Sequence, residues 1–320
     1  MRLGQNPAKN QKDVAKPERI TVAVLNYIPV IAGYYTQMLD VLKVCLNSIR
    51  ETADMPFDLL VFDNGSCEEV ISYLADEKDQ GRIQYLMLSS KNLGKGGAWN
   101  MIFSGAPGEI IAYTDNDVQF YPGWLSKSVE LLETYPKVGM VTARPFRTPP
   151  EFYTSTIKWA KENPDVVVEN GQLIPFDVLH AFNLSLGQTE EFSQNFINTT
   201  EDILLAYKQL RAIVGGSHWQ FTARKEILQG FLPFQMDRPM GQVKQLDERV
   251  NKESYLRLML PEPLVMNLSN SLAQDSDLPV KNPYSGKQVG AKQQLLAIPF
   301  VKKILLAVHD WIFRHYFQNQ

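Results

Sequence analysis

The sequence predicts an α/β fold wound around a mixed, mostly parallel sheet, and three observations predict it. Apolar runs at 20–25, 57–62 and 110–113 each have the length and β-branched content of a buried strand. Helical patterns stand between them, which supplies the crossovers that parallel strands require. Each run also stops in polar residues: Asn26-Tyr27, Asp63-Asn64-Gly65-Ser66 and Asp115-Asn116-Asp117. In open α/β sheets the binding crevice lies beyond the carboxyl ends of the strands, so these are candidate ligand residues.

Taken in order, Ile20-Thr21-Val22-Ala23-Val24-Leu25 opens the sheet. The stretch 35–51 sets Met38, Leu42, Cys45, Leu46 and Ile49 at helical spacing. A second strand at 57–62, a helix at 68–79, a strand at 83–88, a helix at 96–104 and the strand at 110–113 continue the alternation. Beyond Trp124 a helix at 125–134 and a strand at 139–143 follow, and then Pro145, Pro149 and Pro150 end the regular pattern. Residues 151–215 mix aromatic, acidic and short helical patterns, as a region shaping a second substrate pocket would. Glu201-Asp202 follows Thr199-Thr200 and precedes an apolar run, which reads as helix capping. A strand at 219–222, a helix at 242–252 and a strand at 264–267 close the pattern, without an internal repeat or a low-complexity tract.

With 320 residues, 44% hydrophobic and 21% charged, the chain can bury a substantial core as one large domain or two modest ones. A formal net charge of −3 offers no general attraction to nucleic acid. Cys45 and Cys67 lack zinc or redox spacing and read as structural thiols of a reducing cytoplasm. Residues 1–18 read as a polar tail with no secretory core, and no run reaches the roughly 18 to 20 apolar residues needed to cross a bilayer. The expectation is a cytoplasmic protein. The stretch 295–317 is rich in Leu, Ile, Phe and Trp with interspersed Lys and Arg. It reads either as an amphipathic helix at a membrane interface or as a helix packed on the catalytic domain or on a second subunit.

Two carboxylates, Asp115 and Asp117, directly after a buried strand suit a hard divalent cation carried by phosphates. The bland alternative is an Asx turn. Asp63 ends its strand in the same way, with Gly65 permitting a tight turn; it either accepts from a base or ribose or starts the next helix. Asn92-Leu93-Gly94-Lys95-Gly96-Gly97-Ala98-Trp99-Asn100 is a Gly-rich loop opening a helix, whose amides can meet anionic oxygens. It fits neither common phosphate fingerprint: Lys95 is followed by Gly96 where Ser or Thr is needed, and Trp99 stands where a dinucleotide fold needs glycine. The four histidines, His180, His218, His309 and His315, form no hydrolytic pattern, and no Gly-x-Ser-x-Gly elbow is present.

In this order, a Val-rich first strand, Asp-Asn-Gly-Ser, Asn-x-Gly-x-x-x-Ala-x-Asn, Asp-x-Asp and an aromatic-Pro-Gly-Trp segment, the chain resembles a family 2 glycosyltransferase of the GT-A fold. The similarity covers about Ile20 to Arg144 well and extends more loosely to about Asn270. It implies a GT-A, Rossmann-like single domain at 19–275, with a donor half at 19–144, an acceptor half at 145–275 and a C-terminal helical extension at 276–320. It also implies inverting transfer of a sugar from a UDP-, GDP- or dTDP-linked donor, with Mg²⁺ or Mn²⁺ on the diphosphate. The acceptor would be a glycan, a lipid-linked hydroxyl or a small hydroxyl compound, in keeping with cell-surface polysaccharide synthesis, and a homodimer is a further candidate state.

Carried over by position, Asp63 would recognise the base, Asp115 would lie near the ribose and Asp117 would reach the metal. Asn26, Asn92, Lys95 and Asn100 would line the donor site. Asn267 stands where family members often place a metal-binding His; an amide carbonyl is a neutral and weaker ligand. Inversion needs a carboxylate to take the acceptor proton, and the resemblance points to Asp247, with Glu248 in reserve. A solvated helix face explains the same acidic residues without catalysis. His218-Trp219 could form an acceptor wall, or Trp219 could be core. The remaining alternatives are a nucleotide-sugar-binding protein without turnover and a sugar nucleotidyltransferase.

Overall fold

The protein is described from a computed structural model covering residues 4–10, 13–237 and 243–272. The expected C-terminal extension at 276–320, including 295–317, lies outside the described residues.

The chain begins with β1 (Ile20–Asn26), α1 (Met38–Thr52), β2 (Asp58–Asp63), α2 (Glu68–Asp79), β3 (Tyr85–Leu88), α3 (Gly94–Gly105) and β4 (Ile110–Asp115). It continues through β5 (Val118–Phe120), α4 (Trp124–Thr134), β6 (Val138–Thr142), α5 (Thr154–Glu162), β7 (Val167–Gly171), α6 (Phe176–Ser185) and α7 (Glu190–Thr199). The last described elements are β8 (Asp202–Tyr207), β9 (Leu210–Val214), β10 (Gln220–Arg224), α8 (Lys225–Gly230), α9 (Lys244–Lys252), β11 (Leu256–Met259) and β12 (Val265–Asn267). One ten-stranded sheet has the order β3-β2-β1-β4-β10-β6-β11-β9-β8-β7, and β5 pairs with β12 in a separate ribbon.

The sheet is the mixed, mostly parallel one expected. β1 to β4 run together, β10 is inserted antiparallel between β4 and β6, and β11 is parallel to β6. β9, β8 and β7 then alternate in direction out to the edge.

The period-2 alternation of the strands divides the core between two faces. Val22, Val24, Leu59 and Val61 pack with Leu42, Leu46, Leu74 and Leu125 from α1, α2 and α4. Ala23, Leu25, Leu60 and Phe62 pack on the other side with Ala98, Trp99 and Phe103 of α3 and Leu246 of α9. Each fully buried Leu or Val contributes about 1.5–3 kcal/mol, so the central strands are held from both faces and their carboxyl ends form a firm rim.

One expectation is corrected. Glu201-Asp202 does not cap a helix: α7 ends at Thr199 and Asp202 opens strand β8. The apolar run after Asp202 turns back through Lys208 and Gln209, both at positive φ, and pairs with β9 as a hairpin. Asp202 is buried for another reason, since Arg147 donates to its carboxylate from Nε at 2.7 Å and Leu173 and Ile174 donate their backbone N–H groups at 2.9 Å.

Candidate active site

Register brings the strand ends together. Asn26 at the end of β1 pairs with Asp63 at the end of β2, while Leu25 pairs with Asp115 at the end of β4. Asp63 and Asp115 therefore flank the tip of β1 on one rim.

The Asp63 side of the rim is a closed hydrogen-bonded chain. Asn116 Nδ2 donates to Asn26 Oδ1 at 2.6 Å, and Asn26 Nδ2 donates to Asp63 Oδ1 at 2.7 Å. Asp63 Oδ2 accepts from the N–H groups of Gly65 and Ser66 at 3.2 and 2.9 Å. Asn26 and Asp63 are both fully buried. In this arrangement Asp63 fixes the turn that follows β2, and Asn26 is a strut between two strand ends. Gly65 is needed there: its φ is +91°, and a Cβ would meet the backbone carbonyl carbon of Lys91 at 3.0 Å. The neighbouring loop is tied in through Asn64, which donates to Asn92 Oδ1 at 3.0 Å and accepts from Leu93 N at 2.8 Å. Asn92 Oδ1 also accepts from Gly94 N at 2.8 Å, at the start of α3.

The centre of the rim is charged. Lys95, in the first turn of α3, donates to Asp115 Oδ2 at 2.6 Å, and Tyr113 Oη donates to Asp115 Oδ1 at 2.7 Å. The Lys95 ammonium also stands 5.7 Å from the Trp99 ring centroid and 5.8 Å from that of Tyr113. Asp117 differs. Its Oδ1 is buried and has no hydrogen-bond partner among the described residues. Burial first, and the Asp115 charge second, push its carboxyl from an ordinary value of 3.8 up to about 7, against a smaller opposite pull from Lys95.

The β5–β12 ribbon carries Asn267 to the same place. Asn267 pairs with Val118, and Leu268 N donates to Asp117 O at 2.7 Å. Asn267 Oδ1 accepts from Ser269 N at 2.7 Å. A buried carboxylate oxygen with no partner among the described residues, close to the charge of a second carboxylate, fits a hard divalent cation, which takes oxygen ligands. Among the described residues no group of three or more His, Cys, Asp or Glu side chains is gathered for a metal. A cation here would draw further ligands from phosphate oxygens or water.

Asn100 lies on α3, and its amide is spent on the chain after α8: Nδ2 donates to Phe234 O at 2.9 Å and Oδ1 accepts from Phe234 N at 2.7 Å. It positions that loop against Gly96.

A third cluster adjoins the rim across β10. Asp115 N donates to Trp219 O at 2.8 Å, which sets His218 one residue past that pairing. Asp247, in the first turn of α9, is buried and hydrogen-bonded at both oxygens. His218 Nδ1 lies 3.0 Å from its Oδ2, and Arg257 Nη2 donates to its Oδ1 at 2.6 Å. Arg257 is held in turn by Gly216 O and Phe152 O. Glu248, one residue on, is exposed. Trp219 is core, 5.7 Å from Phe182 in a stacked pair. Sequence reasoning missed Tyr113, Asn116 and Arg257. The available signal for Arg257 was an arginine inside the apolar run Leu256 to Leu260, where only a buried partner explains it.

Two clefts of about 600 and 430 Å³ open at the opposite end of the parallel strands, sharing Glu226, Ile227 and Tyr255. They are separate from these residues.

The model of glycosyl transferase family 2 matches residues 30–190, half of the chain. The chain belongs to that family of glycosyltransferases. An uncharacterized glycosyltransferase of Nostoc sp. is 27% identical over 100 residues, which is 31% of this chain and 31% of that protein. Among solved structures, TarS of S. aureus has a TM-score of 0.46 and 11% identity, covering 78% of this chain and 59% of that one. The mannosyltransferase PcManGT of Pyrobaculum calidifontis, in complex with GDP-Man and Mn²⁺, has a TM-score of 0.45 and 16% identity, covering 78% and 56%. The chain thus spans under two thirds of each of these proteins.

Proposed function

We propose that this chain transfers one sugar, with inversion, from a nucleoside-diphosphate sugar to a hydroxyl acceptor. The observation that supports this most is Asp117: a buried carboxylate oxygen with no hydrogen-bond partner among the described residues, just past Asp115 at the end of β4 and joined through its backbone to Leu268, next to Asn267. Asp117, Asp115 and Asn267 would hold Mg²⁺ or Mn²⁺, which would stabilise charge on the departing diphosphate.

The nucleoside is assigned to the turn at 63–66 and the exposed Asn92 beside it. Asp63 acts there chiefly by holding the turn, since three of its roughly four acceptor sites are filled. Lys95 sits where its ammonium can pass from Asp115 to the diphosphate. The first turn of α3 leaves amides without intrahelical partners, which favours anionic oxygens nearby. The acceptor hydroxyl is assigned to the side of the rim occupied by Asp247, whose carboxylate supplies the negative charge that proton removal needs.

The test is release of nucleoside diphosphate from UDP-, GDP- and dTDP-sugars with Mn²⁺ and simple hydroxyl acceptors. Asp247→Asn is expected to keep donor binding and lose about 10²–10⁴-fold in turnover. Full turnover by that variant would remove Asp247 from the proton step. Release of pyrophosphate from nucleoside triphosphates instead would mark a nucleotidyltransferase.

A further inference from the structure

Asp247 has the right charge for a base but little access. Its side chain is 7% exposed and both of its oxygens already accept hydrogen bonds, one from Arg257 and one at His218 Nδ1. Burial and those two bonds leave the carboxylate little room to meet an acceptor hydroxyl. His218 is in the opposite position. Its side chain is 31% exposed, Nδ1 faces Asp247, and Nε2 takes no hydrogen bond among the described residues.

The arrangement also selects the tautomer. An ionised carboxylate can only accept, so Nδ1 carries the hydrogen and the lone pair is left on Nε2. Arg257 prevents Asp247 from turning away, because Nη2 donates to both Asp247 Oδ1 and Gly216 O while Nη1 donates to Phe152 O. The backbone places the imidazole at the rim: the neighbouring Trp219 carbonyl accepts from Asp115 N.

We propose that His218 Nε2, rather than the Asp247 carboxylate, is the atom that takes the acceptor's proton, with Asp247 orienting the ring and Arg257 holding Asp247. This rests on the transferase reading and specifies its proton step. As the acceptor oxygen bonds to the anomeric carbon, the bond from that carbon to the diphosphate oxygen breaks and its electron pair leaves with the diphosphate. The hydroxyl proton moves to Nε2, giving an imidazolium beside Asp247, and then passes to water. His218 is the catalytic residue in this scheme; Asp247 and Arg257 are positioning residues.

The assay is nucleoside diphosphate release from UDP-glucose, GDP-mannose and dTDP-glucose with Mn²⁺, with water or methyl glycosides as acceptor. His218→Ala is expected to keep the KM for the donor within a few-fold and to lower kcat about 10²–10⁴-fold. Added imidazole should restore part of that rate in His218→Ala and none in Asp247→Ala, a difference that a purely structural role would not produce. A His218→Ala protein with wild-type kcat, or one insensitive to imidazole beside a dead Asp247→Asn, overturns the proposal. A second measurement needs no turnover: ¹⁵N NMR of the wild-type imidazole should show hydrogen on Nδ1 and a bare Nε2. The reverse tautomer overturns the proposal even in a fully active enzyme. A wild-type chain that releases no nucleoside diphosphate from any donor overturns the transferase reading instead, and the NMR result still decides how the ring is held.

Discussion

Ionised Asp117 carries a cost, set first by burial and then by the Asp115 charge. Its folded-state value of about 7 lies above the ordinary 3.8, so the folded protein holds a proton that the unfolded chain has released. Stability from this group is therefore fully present below about pH 4 and declines as pH rises to about 7, beyond which the penalty is complete. Asp117→Asn removes the charge and keeps the shape. It is expected to raise the metal-free Tm at pH 8 by a few degrees and to abolish any Mn²⁺-dependent rise; thermal unfolding with and without Mn²⁺ checks both. An unchanged Mn²⁺ response would remove Asp117 from the metal site. Asn26 is a strut, and Asn26→Ala leaves one oxygen of a buried Asp63 unpaired. A loss of about 1.5–3 kcal/mol in urea unfolding is expected. At this scale the convergence of Asp63 and Asp115 on one rim was legible in the sequence, because both stand at the ends of buried apolar runs. The strut role of Asn26 and the pairing of Arg257 with Asp247 were not, because their partners lie 37 and 10 residues away and are supplied by strand register and tertiary packing.

Among the elements, α3 decides how closely the Gly-rich loop approaches the rim. A Cβ at Gly96 would stand 2.2 Å from the carbonyl oxygen of Gln235, so the glycine is what lets the loop after α8 lie on the helix. Gly96→Ala is expected to push that loop away and to cost about 1–3 kcal/mol, read as a lower urea midpoint with little change in slope. Asn100, spent on Phe234, belongs to the same contact. The β8–β9 hairpin shows why the acceptor half was harder to read. An apolar run of five residues, Ile203 to Tyr207, fits a strand or a buried helix equally by periodicity, and Thr-Thr-Glu-Asp ahead of it imitates a cap. What decided for the strand is Arg147, 55 residues earlier, whose guanidinium needs the Asp202 carboxylate in the interior. Asp202→Ala should therefore cost about 3–5 kcal/mol, far more than loss of an exposed cap.

For the whole molecule, the parallel half from β3 to β4 was legible because local alternation and crossover helices determine it. The placement of β10 between β4 and β6 was not, since an antiparallel insertion leaves no local mark in a strand of five residues. That insertion matters, because it carries His218 to the rim and joins the Asp247 side of the site to the Asp115 side. On the reading proposed above, this rim binds a metal–nucleoside diphosphate through Asp115 and Asp117. The direct measurement is calorimetric titration of UDP, GDP and dTDP into the wild-type chain and Asp117→Ala, each with and without Mn²⁺. One nucleotide is expected to bind the wild type at least 10-fold more tightly with Mn²⁺ than without, and that gain should vanish in Asp117→Ala. Binding of equal strength in all four conditions, or no binding of any of the three, would contradict it.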